Sequence, residues 1–168
     1  NKEERKKIDS ESEVQRHRTA MVRYGFSAPI QSLMRFGFLD GKYSVFDYGC
    51  GRGDDLRGLI ENEIEASGWD PHYAKDQPKI EADIVNLGFV LNVIEDYQER
   101  VAAIQGAYSL TKGLLVISVM LENNNANTGK SFRDGVLTNR KTFQKYFTPQ
   151  ELKQFVDERL QEEAIAVA

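Results

Sequence analysis

The stretch Val45-Phe46-Asp47-Tyr48 is a short run of strand-forming residues that breaks into Gly49-x-Gly51-x-Gly53. The chain then passes into a segment with Leu56, Leu59 and Ile60 at helical spacing. Strand, tight loop and helix in that order predict an α/β chain with a mostly parallel sheet and a ligand loop at a strand's carboxyl end. Glycines let backbone approach a ligand closely, and free amides at a helix start suit an oxygen-rich group. Dinucleotide-binding proteins use a similar loop, so the glycines by themselves leave the ligand open.

The acids around this loop narrow the choice. Asp47 stands two residues before the first glycine, and the spacing Asp47-x-Gly49-x-Gly51-x-Gly53 resembles the first motif of class I methyltransferases. A carboxylate there suits the cationic methionine end of S-adenosyl-L-methionine and repels a pyrophosphate. A second acid, Asp70, closes Ala66-Ser67-Gly68-Trp69-Asp70, where the next strand should end. It can accept hydrogen bonds from ribose hydroxyls in either cofactor class, so a nicotinamide dehydrogenase stays open beside the methyltransferase.

The rest of the chain supplies the elements such a fold needs. Residues 1–13 form a polar N-terminal extension, and a short helix is expected over 14–24. Ser27-Ala28-Pro29 starts a clearer helix, with Ile30, Leu33, Met34 and Phe38 on one face. Residues 71–78 leave no room for a full helix and strand, which predicts a shortened crossover after the second strand, with Tyr73 or Trp69 near an adenine. Strands are expected over about 83–87 and 114–120, a helix over about 96–110 and another from Thr148-Pro149 through Leu160. Residues 122–142 read as a long loop placed to fold over the substrate pocket. No obvious pair of terminal strands follows the last helix, and residues 14–168 read as one domain cut from a longer protein.

Composition restricts the function classes. With 40% hydrophobic residues the chain is long enough to bury a core, and no apolar run approaches the roughly twenty residues of a membrane helix. Its single cysteine, Cys50, cannot form an internal disulfide, which makes the cytoplasm the expected compartment. A net charge of −4 argues against strong nonspecific nucleic-acid binding but leaves room for a local basic patch, for which Arg16, Arg18, Arg23, Arg133, Arg140, Lys141 and Lys145 are candidates. No His and Cys cluster has metal-ligand spacing.

Several blocks together resemble the DNA phosphorothioation-associated methyltransferase family. They are His17-Arg18-Thr19-Ala20-Met21, the segment 45–55, Gly68-Trp69-Asp70-Pro71, the segment 86–96, Asp134-Gly135-Val136-Leu137-Thr138, and 142–147. The resemblance implies a Rossmann-like class I methyltransferase fold with helices on both faces of the sheet, and a role beside DNA sulfur-modification systems. Cofactor contacts are expected from Asp47, Gly49, Cys50, Gly51, Gly53, Trp69, Asp70, Asn86 and Leu87, and a catalytic base from His17, Asp83 or Glu95. Expected partners are DNA or another nucleic acid and proteins of such a system. The Asn-Pro-Pro-Tyr pattern of many amino-methylating DNA enzymes is missing, as is the Pro-Cys pair of cytosine-carbon methyltransferases. A non-catalytic scaffold that keeps the cofactor pocket is therefore the alternative to an active enzyme.

Overall fold

The computed structural model describes residues 25–123 and 129–168. Four parallel strands, β1 (Val45–Tyr48), β2 (Ala66–Trp69), β3 (Ala82–Gly88) and β4 (Thr111–Ser118), form one sheet in the order β2-β1-β3-β4. Helices α1 (Ala28–Arg35) and α2 (Asp54–Glu61) pack on one face, with α3 (Tyr97–Ser109) and α4 (Pro149–Leu160) on the other.

Period-two alternation along the strands assigns each side chain to its face. On β1, Val45 joins Ile30, Leu33, Leu59 and Ile84 beneath α1 and α2, whereas Phe46 and Tyr48 join Val85, Leu87, Ile104 and Ala107 beneath α3. Both layers are apolar because a parallel sheet is covered on both faces. Asp47 and Asn86, paired in register on β1 and β3, interrupt the α1 face only at its carboxyl end. That polar interruption is where the ligand loop begins.

Helix ends follow local sequence. Thr148 accepts from Glu151 N at 3.1 Å while the Glu151 carboxylate takes Thr148 N, the reciprocal cap expected before Pro149. Between β2 and β3 the chain makes turns and no helix, as the short spacing requires; an isolated bridge joins Asp70 to Ala74.

One stretch differs from expectation. Within residues 122–142, β5 (Lys130–Phe132) and β6 (Gly135–Leu137) form a hairpin, and β7 (Phe143–Gln144) adds a third antiparallel strand. The hairpin closes through the two-residue connection Arg133-Asp134, with Arg133 at φ 48°, and Gly135 opens the returning strand opposite Phe132. The small sheet stands against the turn after β3, where Lys145 N donates to Asn92 O at 2.7 Å.

Candidate functional site

The turn after β1 is held to the end of β2 by its own backbone. Gly49 N and Cys50 N both donate to Trp69 O, at 2.7 and 3.0 Å, and Gly53 N closes the turn on Cys50 O at 3.0 Å. Gly49, Gly51 and Gly53 have φ of 89°, 55° and 83°, a region that side chains with a Cβ adopt at a cost. Space over Gly51 is open, since a Cβ there would meet nothing within 4 Å. The turn is thus bare backbone facing outward.

Asp70 is built into this loop. Its carboxylate accepts Gly51 N at 2.8 Å, His72 N at 2.8 Å and Tyr73 N at 2.9 Å. Partial burial pushes its pKa up, but these amide bonds outweigh burial and hold it below the usual carboxylate range. Oδ1 takes both His72 N and Tyr73 N, so an ionised carboxylate fixed this way keeps a free lone pair on Oδ2 for a hydroxyl donor.

Asp47 is the opposite case. Burial raises its pKa to about 6, opposed by the hydrogen bond from Asn86 and reinforced by the charges of Asp55 and Asp70. Asn86 Nδ2 donates to Asp47 Oδ1 at 3.1 Å, which leaves Asn86 Oδ1 buried with no donor. Among the described residues no cation pairs with Asp47. Two adjacent acceptor groups with a donor deficit form a seat for an ammonium group, which brings three donors and no acceptor. The start of α2 adds Asp54 and Asp55, the latter accepting Ser27 N and Ser27 Oγ at 2.9 and 2.6 Å. A pyrophosphate would meet four acids around this loop, Asp47, Asp54, Asp55 and Asp70, against two cations, Arg52 and Arg57.

The wall opposite the loop comes from the turn after β3. Val90 packs on Gly49, where a Cβ would lie 2.5 Å from Val90 Cγ2. Phe89 has φ 56°, rare for an aromatic residue, and its ring is exposed beside the carboxyl end of the sheet while Phe89 N donates to Ser118 O at 2.8 Å. A non-glycine residue held there costs on the order of 1–3 kcal/mol and persists only where its surroundings fix it. Residue order does not single out Phe89, because φ has no signature in it.

The other expected residues are distributed as follows. Cys50 sits in the loop, and burial followed by the charges of Asp47 and Asp70 raises its thiol pKa, so it is held as the unreactive thiol. Trp69 faces the α3 side, 5.3 Å from Tyr48 between ring centroids, with Lys79 Nζ 3.8 Å over its ring. The Leu87 side chain lies in the core beneath α3. Asp83 is at the amino end of β3, on the order of 15 Å along the strand from Gly88, and accepts Ser44 N and Ser44 Oγ. The structure therefore does not bring Asp83 to the loop. Glu95 is exposed in the turn before α3, and His17 lies outside the described residues. Lys145, a candidate for a basic patch, is buried and bonded to Glu151 at 2.7 Å. No group of metal-ligating side chains occurs among the described residues.

Solved structures resemble this arrangement over most of its length. A 1,6-didemethyltoxoflavin-N1-methyltransferase from Burkholderia thailandensis, with bound 1,6-didemethyltoxoflavin and S-adenosylhomocysteine, matches with a TM-score of 0.57 at 14% identity, over 94% of this chain and 78% of that one. The magnesium protoporphyrin IX methyltransferase of Synechocystis, with bound S-adenosylhomocysteine, matches with a TM-score of 0.55 at 16% identity, over 85% and 72%. An O-methyltransferase family protein from Burkholderia thailandensis matches with a TM-score of 0.52 at 21% identity, over 90% and 54%. The fold is that of the class I methyltransferases. No protein-family model matches the chain, and no curated protein matches its sequence. In this methyltransferase fold the glycine turn after β1, the acid closing β2 and the turn after β3 converge at one end of the sheet.

Proposed function

We propose that the chain binds S-adenosyl-L-methionine in the turn between β1 and α2 and transfers its methyl group to an acceptor held against the turn after β3. The observation that carries this reading is the buried Asp47–Asn86 pair, with its orphaned Asn86 oxygen, beside an ionised Asp70 locked onto Gly51. These groups fit an ammonium at one point and a ribose hydroxyl at the other. The surrounding acids disfavour a dinucleotide.

The cofactor supplies a sulfonium-activated methyl group, which leaves alignment, exclusion of water and proton removal to the protein. Asp47 and Asn86 would hold the amino end, Asp70 the ribose, and the bare turn at Gly49 to Gly51 would let backbone lie against the ligand. Phe89 and Val90 would form the acceptor-side wall. Glu95, at the carboxyl end of the sheet, and His17 are the proposed proton acceptors, since Asp83 is committed to Ser44.

Resemblance to the phosphorothioation-associated family supports an acceptor within a DNA-modification system. The single cysteine fits a cytoplasmic setting. The test is transfer of labelled methyl from S-adenosyl-L-methionine into phosphorothioated DNA, unmodified DNA and cell extract, for the wild type and Asp70→Ala. Label incorporated by the wild type and reduced at least tenfold by the variant is the expected result. Donor binding without transfer to any acceptor would favour the non-catalytic scaffold instead.

A further inference from the structure

The three-stranded sheet carries a charge opposite to that of the chain. Residues 123–150 contain five cations and one acid, a net +4 within a chain whose total is −4. The one acid, Asp134, is occupied by Arg100, and the buried Lys145 is occupied by Glu151. Those four residues form the inner end of the small sheet, where it rests on α3 and α4. Arg133 shares that end, 3.7 Å from Asp96.

The outer end is different. Lys130 pairs with Leu137 across the hairpin, and the turn that follows Leu137 is closed by Thr138 N to Thr142 O and Lys141 N to Thr138 O, both at 2.9 Å. This register puts Lys130, Arg140 and Lys141 at one end of a short sheet. All three are exposed, and none has an ion pair among the described residues. On the same hairpin, Phe132 exposes its ring, with the Arg133 guanidinium 5.5 Å over it.

We propose that this outer end is a docking surface for the phosphate backbone of a nucleic acid, contacted by Lys130, Arg140 and Lys141. Three unpaired cations on a hydrogen-bonded scaffold give the sequence-independent electrostatic attraction that positions a polyanion. Phe132, two residues along β5 from Lys130, exposes part of its ring on the same strand, a surface against which a base can pack and for which an acidic polypeptide has no use. The inner end of the same sheet abuts Asn92, three residues beyond Phe89, so the outer end stands the length of one short strand from the proposed acceptor wall. The surface thus rests on the methyl-transfer reading for its purpose, though not for its charge.

The experiment is fluorescence anisotropy with a labelled single-stranded oligonucleotide over a salt series, on the whole chain. It compares the wild type, the triple variant Lys130→Gln/Arg140→Gln/Lys141→Gln, and a control, Lys42→Gln/Lys112→Gln, altered at exposed cations elsewhere. Wild-type binding should weaken at least tenfold in the triple variant, with the log–log salt slope shallower by about two, and stay unchanged in the control. Equal binding by the triple variant, no wild-type binding at about 50 mM salt, or equally effective competition by polyglutamate would overturn the proposal. Calorimetric titration of the same samples with S-adenosyl-L-methionine separates the two readings. Lost donor binding with intact oligonucleotide binding fails the methyltransferase, and the reverse fails the docking surface.

Discussion

The parallel sheet and the small antiparallel sheet are kept in place by different forces. Phe46, Val85, Leu87, Ile104 and Ala107 are buried between the parallel sheet and α3, and burial of apolar area is what holds them. In the small sheet all of β5 is exposed and only Phe143 is buried within its strands. Beside the buried Phe143 and the bond from Lys145 N to Asn92 O, its attachment is ionic: Arg100, 3% exposed, grips Asp134 with both terminal nitrogens, and Lys145 is bonded to Glu151. The first region is a cooperative core, the second a module clamped to it, and they should fail separately.

The largest effect should come from the core. Phe46→Ala removes a fully buried ring at the centre of the sheet and should cost about 3 to 5 kcal/mol, read as a lower denaturation midpoint by every probe at once. Arg100→Met should cost less, about 2 kcal/mol, because the Asp134 it deserts is 43% exposed and can be hydrated. Its signature is local: faster hydrogen exchange at the Val136 and Lys145 amides with β1 and β3 unchanged. Equal acceleration in both sheets would show that the clamp belongs to the core.

Acid sharpens the same contrast. The hydrogen bond from Arg100 leads the interactions that lower the pKa of Asp134, so that carboxylate stabilises the small sheet above its unfolded pKa and the contribution is lost as pH falls through the folded value. Asp47 runs the other way. With its folded pKa raised from 3.8 to about 6 the native state binds more protons than the unfolded one, and stability falls as pH rises through that window. Asp47→Asn should therefore stabilise the chain at pH 7 by on the order of 2 kcal/mol, with little effect near pH 4, measured by denaturant titration at both values. A destabilised variant at pH 7 would mean the carboxylate is compensated in the free protein.

The two regions also differ in how far residue order reveals them. The parallel sheet was legible because β1, β3 and β4 carry short apolar runs (Val45-Phe46, Ile84-Val85, Leu114 to Ile117) and Asp70-Pro71 marks the end of β2, while the Thr148 cap announced α4. Asp47 and Asp70 were legible by spacing. The small sheet was not read as strands, since Lys130-Ser131-Phe132 and Gly135-Val136-Leu137 are too short to carry periodicity among the asparagines around them, and the Arg133-Asp134 turn between them has no turn signature of its own. The roles of Arg100, Lys145 and Asp83 depend on partners 34, 6 and 39 residues away, which no local pattern encodes. Asp83 illustrates the point: a carboxylate on the correct strand, at its opposite end.

That Asp47 and its neighbours form a seat for a cationic nucleoside is the central claim, and calorimetric titration with S-adenosyl-L-methionine between pH 5 and pH 8 tests it most directly. Binding at pH 8 should weaken about tenfold by pH 5, as Asp47 takes up its proton, and Asp47→Asn should bind with a weaker, pH-independent affinity. No binding at any pH, or the same affinity in both proteins across the range, would contradict it.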